Sequence, residues 1–181
     1  MKRLLIVCLI SCLALSVFGA PMQEGLYEIR TEASYDISDV DSDDFLTGIG
    51  GLGYYCCNTL QVGGLITLGK TPNDSYWEPN DVWGLGAFAE YSFNLSESAA
   101  PFAGASVIFL SADNLEERED KATVRTFSIF AGMKLYLTDT VAISGQLASH
   151  WADEEIYDYD KLDEEGKKTD LSISVGLRFL L

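Results

Sequence analysis

Beyond residue 24 the chain is divided into runs of about ten residues in which apolar positions alternate with polar or glycine positions at a period near two. That period belongs to strands and excludes helices as the framework, because successive side chains of a strand point to opposite faces. Eight strands are predicted, roughly Gly25 to Asp36, Phe45 to Cys57, Leu60 to Lys70, Val82 to Asn94, Pro101 to Ala112, Ala122 to Leu137, Val141 to Trp151 and Thr169 to Leu181. In the last of these Leu171, Ile173, Val175, Leu177, Phe179 and Leu181 share one face, and Ser172, Ser174, Gly176 and Arg178 share the other. The first, fourth and sixth runs sort as cleanly, whereas the second and fifth carry glycine or apolar residues on both faces and leave their orientation open.

The connections also sort. Short turns follow the second, fourth and sixth runs, around Asn58-Thr59, Leu95 to Ala100 and Thr138 to Thr140. Longer, acidic segments follow the others: Ile37 to Asp44, Thr71 to Asp81, Asp113 to Lys121 and Ala152 to Lys168. An even strand number returns both chain ends to one side, and tight turns at one end with long loops at the other is the asymmetry of a barrel that crosses a membrane. At 181 residues the chain is expected to form a single folded unit.

Alternation alone does not say which face is outside; a soluble ligand-binding barrel turns its apolar face inward, a lipid-embedded one outward. The charges decide. A water-exposed wall carries charge at about a quarter or more of its positions, yet the strands hold only Glu28, Arg30, Glu32, Glu90, Arg125, Lys134 and Arg178, with Asp36, Lys70 and Asp170 at their ends. Most of the acid lies in the loops. Gly48, Gly50, Gly63, Gly84, Gly86, Gly132 and Gly176 are expected on the polar face, where eight strands leave little room. Tyr27, Tyr35, Tyr54, Tyr55, Trp83, Phe93, Tyr136, Trp151 and Phe179 lie near strand ends, as an interfacial girdle requires. The apolar face is therefore assigned to lipid. The interior then holds Glu28, Arg30, Glu32, Glu90, Lys134 and Arg178, three acids and three bases that must pair across the lumen, because an unpaired buried charge costs several kcal/mol.

The first residues match this placement. Lys2 and Arg3 precede an apolar run from Leu4 to Phe18, with Gly19 and Ala20 after it, the layout of a cleaved export signal. Cleavage after Gly19 is preferred, giving a signal at residues 1–19 and a barrel at 20–181. Leu9-Ile10-Ser11-Cys12 looks like a lipidation box, but apolar sequence continues past it. The remaining chain has 10 basic and 28 acidic residues, a net charge near −18, which disfavours nucleic acid and favours cations or basic partners. It keeps two cysteines, Cys56 and Cys57, whose adjacency would strain a mutual disulfide; two unpaired thiols are expected.

The hairpin Tyr91-Ser92-Phe93-Asn94-Leu95 to Pro101-Phe102-Ala103-Gly104-Ala105, the hairpin Lys134 to Ala142 and the closing Ser174-Val175-Gly176-Leu177-Arg178-Phe179 resemble the small outer-membrane β-barrel superfamily of opacity-like, OmpA-like and OmpX-like barrels. The resemblance covers essentially all of the chain after residue 20. It implies an all-β fold, an eight-stranded antiparallel up-and-down transmembrane β-barrel in the cell outer membrane. Members usually finish on an aromatic residue, whereas this chain ends Phe179-Leu180-Leu181.

Some barrels of this build modify lipid A with a His, a Ser and a carboxylate, which draws notice to Ser149 and His150. Adjacent strand residues face opposite ways, so these two cannot meet, and His150 is expected to bond a neighbour in the lumen or at its rim. Asp39, Asp41, Asp43 and Asp44 resemble the start of an EF-hand loop, but no glycine stands sixth and Gly50 occupies the place of the bidentate Glu. Weak cation binding by these four is retained. The expectation is a non-enzymatic monomer without cofactors, with a filled polar lumen and acidic external loops, acting in structure, adhesion or surface interaction. Its expected partners are outer-membrane lipid and lipopolysaccharide, with divalent cations or a surface partner at the loops. The alternatives are a narrow channel, a lipid A-modifying enzyme and a soluble periplasmic ligand-binding barrel.

Overall fold

The runs of alternating residues become strands that close on one another. A computed structural model describes residues 22–36, 46–70, 81–93, 95–96, 98–112, 124–153, 157–159, 166–167 and 169–181. Its strands are β1 (Tyr27–Asp36), β2 (Leu46–Tyr55), β3 (Leu60–Lys70), β4 (Asp81–Ser92), β5 (Ala99–Ala112), β6 (Val124–Tyr136), β7 (Val141–Ala152), β8 (Tyr157–Tyr159), β9 (Gly166–Lys167) and β10 (Thr169–Leu180). Eight of them form a closed barrel in the order β1-β10-β7-β6-β5-β4-β3-β2. Each neighbouring pair is antiparallel, and the ring closes where Glu28 to Asp36 pair with Leu180 to Ser172. Closure satisfies the backbone groups that an open edge would expose, which is what allows strands to stand in lipid. The segment read as plain loop between Ala152 and Lys168 contains the small hairpin β8-β9. Tyr157 and Tyr159, at alternate positions, are strong strand formers.

Turns at Cys56–Thr59 and 137–140, together with Phe93, Leu95, Ser96 and Ser98, gather at one end with residues 22–26 and Leu181. Backbone bonds tie that end together: Gly25 N–H donates to the Tyr55 carbonyl at 3.0 Å, and Tyr27 and Leu181 exchange N–H to carbonyl bonds at 3.2 and 2.8 Å. Among the described residues this is the end that carries the chain termini, the periplasmic end in outer-membrane barrels.

The apolar face points outward. Leu68, Leu85, Leu147 and Val175 each expose more than half their surface (Val175 59%), and Tyr27, Tyr54, Tyr91 and Phe93 rim the short-turn end while Tyr35, Trp83, Phe127 and Trp151 rim the other. Tyr27 packs on Tyr54 with ring centroids 5.2 Å apart, and Phe127 on Trp151 at 5.9 Å.

Four expectations of facing are corrected. Tyr55 and Tyr136 are not part of the girdle; Tyr55 is fully buried and Tyr136 packs against the cluster of Met22, Tyr55, Ala100 and Leu180 inside the short-turn end. Gly48 and Gly50 lie on the outer face, opposite Ala33 and Thr31 of β1. The inward glycines of β2 are Gly51 and Gly53, because Gly51 pairs with Arg30 and Gly53 with Glu28. Strand parity is common to paired residues, so the charged face of β1 dictates which glycines of β2 turn inward. β5 is settled likewise: Phe102, Ser106 and Ile108 are buried within, and Val107 and Phe109 stand outside.

A wall that faces lipid gives a depth-dependent cost to charge. Val175→Arg, at the middle of β10, is predicted to cost about 2–4 kcal/mol of folding free energy, and Leu137→Arg, at the short-turn rim, about 0–1 kcal/mol. Urea unfolding in phospholipid vesicles measures both, and two equally small costs would place this face in water.

Candidate functional site

Inside the barrel, β1 contributes Glu28, Arg30 and Glu32 at alternate positions, β4 contributes Glu90, β6 Lys134 and β10 Arg178. None of the six is more than 6% exposed. They form one layer in the half of the lumen nearer the short turns. Arg178 is its hub. One guanidinium nitrogen, Nη1, donates to Glu28 Oε1 at 2.9 Å and Glu90 Oε2 at 3.0 Å, while Nη2 donates to Glu32 Oε1 at 3.0 Å. Its Nε donates to Ser144 Oγ of β7 at 3.1 Å. Lys134 Nζ lies 2.6 Å from Glu90 Oε1 and 3.0 Å from Glu28 Oε2. Arg30 reaches Glu32 at 3.2 Å and Glu90 at 3.6 Å.

Because β4 and β10 stand four places apart round a ring of eight, the Arg178–Glu90 pair spans the full diameter. Three acids and three bases cancel in charge. Each pairing lies in a low-dielectric interior where attraction is strong but desolvation is also costly, so the layer holds only while every member is present.

Two kinds of neighbour complete the layer, and neither was read from the sequence as part of it. Tyr55 donates its hydroxyl proton to Glu28 Oε2 at 2.8 Å and accepts from Lys134 at 2.9 Å, and Gln146 Nε2 donates to Glu32 at 3.1 Å. Three phenylalanine rings lie against the cations. The Arg30 guanidinium carbon is 4.6 Å from the Phe88 ring centre and 5.6 Å from that of Phe130, and the Arg178 one is 4.8 Å from that of Phe102. Aromatic faces attract cations. For two of these partners the signal was parity: Phe88 shares a strand face with Glu90, and Phe130 with Lys134, whereas Tyr55, Phe102 and Gln146 stand on strands without a named charge.

Space for such large groups comes from glycine. A Cβ on Gly51 would stand 2.8 Å from Arg30 Cγ, and one on Gly132 would stand 2.6 Å from the Phe102 ring. Below the layer, at the short-turn mouth, Met22 is buried with Tyr55, Ala100 and Leu180.

His150 sits on the inner face of β7 in the other half of the barrel. Its Nδ1 lies 2.7 Å from Ser128 Oγ and its Nε2 2.8 Å from Ser172 Oγ. Neither partner is Ser149, which β7 turns the other way. A neutral imidazole offers one donor and one acceptor, so one serine donates and the other accepts. At the rim, Arg125 and Asp153 make an exposed pair, with the Arg125 backbone N–H and Nε each donating to the carboxylate at 2.9 Å. These bonds, the backbone one first, hold the Asp153 carboxyl below its ordinary range. Asp39, Asp41, Asp43 and Asp44, Glu116 to Asp120, and the expected signal at 1–19 all lie outside the described residues. Among the described residues no three His, Cys, Asp or Glu side chains converge to hold a metal ion.

A closed barrel of eight antiparallel strands, apolar and aromatic-rimmed outside and ion-paired within, defines a small transmembrane β-barrel. The chain belongs to the outer membrane protein beta-barrel domain family, whose model matches residues 10–179, and its place is the outer membrane. Among solved structures it is similar to Neisserial surface protein A, at 17% identity and a TM-score of 0.58, covering 85% of this chain and 95% of that one. It is similar also to the N-terminal β-barrel domain of Pseudomonas aeruginosa OprF, at 16% identity, TM-score 0.53, and 87% and 98% coverage. A third, OprG from Pseudomonas aeruginosa, gives 11% identity, TM-score 0.54, and 88% and 97% coverage. At these identities the likeness is one of fold. No curated protein matches by sequence.

Removing the hub strands three buried carboxylates beside two cations. Arg178→Met is predicted to destabilise the barrel by about 3–5 kcal/mol. Urea unfolding of the two proteins in vesicles at neutral pH reads this directly, and a loss under about 1 kcal/mol, the worth of a surface pair, would remove Arg178 from that role.

Proposed function

We propose that this protein is a closed, non-enzymatic monomeric barrel that works by displaying its external loops rather than by passing solutes. The carrying observation is the Arg178–Glu90 pair across the diameter, with Lys134, Glu28, Glu32 and Arg30 filling the same layer. An eight-stranded interior is just wide enough to be filled by side chains, and the apolar cluster around Met22 lies beneath.

The displayed surface is acidic. Segments 37–45, 71–80, 113–123 and 153–168 hold 19 of the chain's 28 Asp and Glu residues. Such loops attract divalent cations, Asp39, Asp41, Asp43 and Asp44 among them, and through those cations the phosphates of lipopolysaccharide or a basic surface partner. Export removes residues 1–19, and the intact mass of the membrane-extracted protein, beginning at Ala20, tests that step.

The reading as a narrow channel draws on Gln61, Thr67 and Ser92, whose buried polar atoms have no hydrogen-bond partner among the described residues. Groups of this kind suit a wetted path. Planar bilayers separate the two. Purified folded protein is expected to give no regular single-channel steps in concentrated KCl. Uniform, reproducible steps from pure protein would overturn the closed lumen and favour the channel.

A further inference from the structure

The lumen and the loops leave the turn Cys56–Thr59, between β2 and β3, without a role. Both of its thiols are free and exposed. Their surroundings differ. Cys56 Sγ donates to the Tyr54 carbonyl at 3.9 Å. Cys57 Sγ lies 3.5 Å from the Thr59 hydroxyl. That hydroxyl, followed by the backbone N–H groups of Thr59 and Leu60, holds the Cys57 thiol below its ordinary range. The thiolate, not the thiol, is the nucleophile. The turn also lies at the end that faces the periplasm in outer-membrane barrels, and that compartment is oxidising.

We propose that Cys57 is a thiol-exchange site for disulfides reaching the short-turn end, and that Cys56 is its resolving thiol. The Cys57 thiolate attacks one sulfur of an incoming disulfide; a sulfur–sulfur bond to Cys57 forms as the incoming one breaks, and one thiolate leaves. Cys56 then loses its proton and attacks Cys57 Sγ, which expels the second thiolate and joins the adjacent residues. Two protein thiols are oxidised, one disulfide is reduced to two thiols, and both protons end on the released thiols. Adjacent Cα atoms stand about 3.8 Å apart, short of the usual disulfide span of about 4.4–6.8 Å. The product is strained, and strained, exposed disulfides are readily reduced. The site is therefore reversible.

The test uses the folded protein purified from membranes in detergent, oxidised glutathione as probe, and acid quenching followed by intact mass. Cys56→Ser is expected to accumulate one lasting glutathione adduct, Cys57→Ser to react several-fold more slowly, and the wild type to lose two hydrogens without keeping an adduct. Adding Thr59→Val to Cys56→Ser is expected to slow the adduct several-fold. Equal rates for the two single variants, or a wild type that keeps two glutathiones, would overturn the proposal. Cys56→Ser extracted from cells with thiols alkylated at lysis distinguishes the sources. A small adduct indicates a small disulfide, a crosslink of protein size indicates a protein disulfide, and a fully alkylated Cys57 would overturn the assignment.

Discussion

The structure depends on one electrostatic constraint: charges enclosed by only eight strands are cut off from water and must be paired within the lumen. Arg178 answers it by touching all three buried carboxylates, and Glu90 by receiving all three cations. Four of the pairs, Arg178–Glu90, Lys134–Glu90, Lys134–Glu28 and Arg30–Glu90, join strands that are not neighbours, so they tie the ring across the lumen while backbone bonds tie it around its circumference. A buried network of this kind need not add net stability over an apolar core of equal shape. Its cost appears when one partner is taken away.

The rest of the interior is arranged around that layer. Phe88, Phe102 and Phe130 lie against the guanidinium and ammonium groups, where ring faces replace part of the lost hydration. Glycine supplies volume beside several of these groups, Gly51 for Arg30, Gly63 for Phe88, Gly104 for Phe130 and Gly132 for Phe102. The same parity that turns Glu28 and Arg30 inward turns Tyr27 and Ile29 outward, so the lipid-facing wall and the ionic core come from one alternation read on two sides. The short-turn end carries the adjacent thiols of Cys56 and Cys57, and the long connections of the sequence hold most of the acid.

Much of this was legible in the chain. The eight long strands lie within a few residues of where period-two alternation put them, and Glu28, Arg30, Glu32, Glu90, Lys134 and Arg178 could be grouped because each sits on the polar parity of its own run. Legibility failed where a strand had no such contrast. Gly48, Gly50, Gly51 and Gly53 populate both parities of β2, so neither the inward glycines nor the burial of Tyr55 could be read there. β8-β9 escaped notice because strands of three and two residues are too short for a period to show.

By itself, the sequence determined which residues share a face, roughly where the eight long strands lie, and that acid collects in the long connections, since alternation and composition are local properties. Only the tertiary structure decided that Arg178 meets Glu28, Glu32 and Glu90, that Tyr55 bridges Glu28 and Lys134, and that His150 joins Ser128 and Ser172. Those contacts depend on the register of every strand pair around the closed ring, and the stagger that accumulates over eight strands brings residues 150 positions apart to one level.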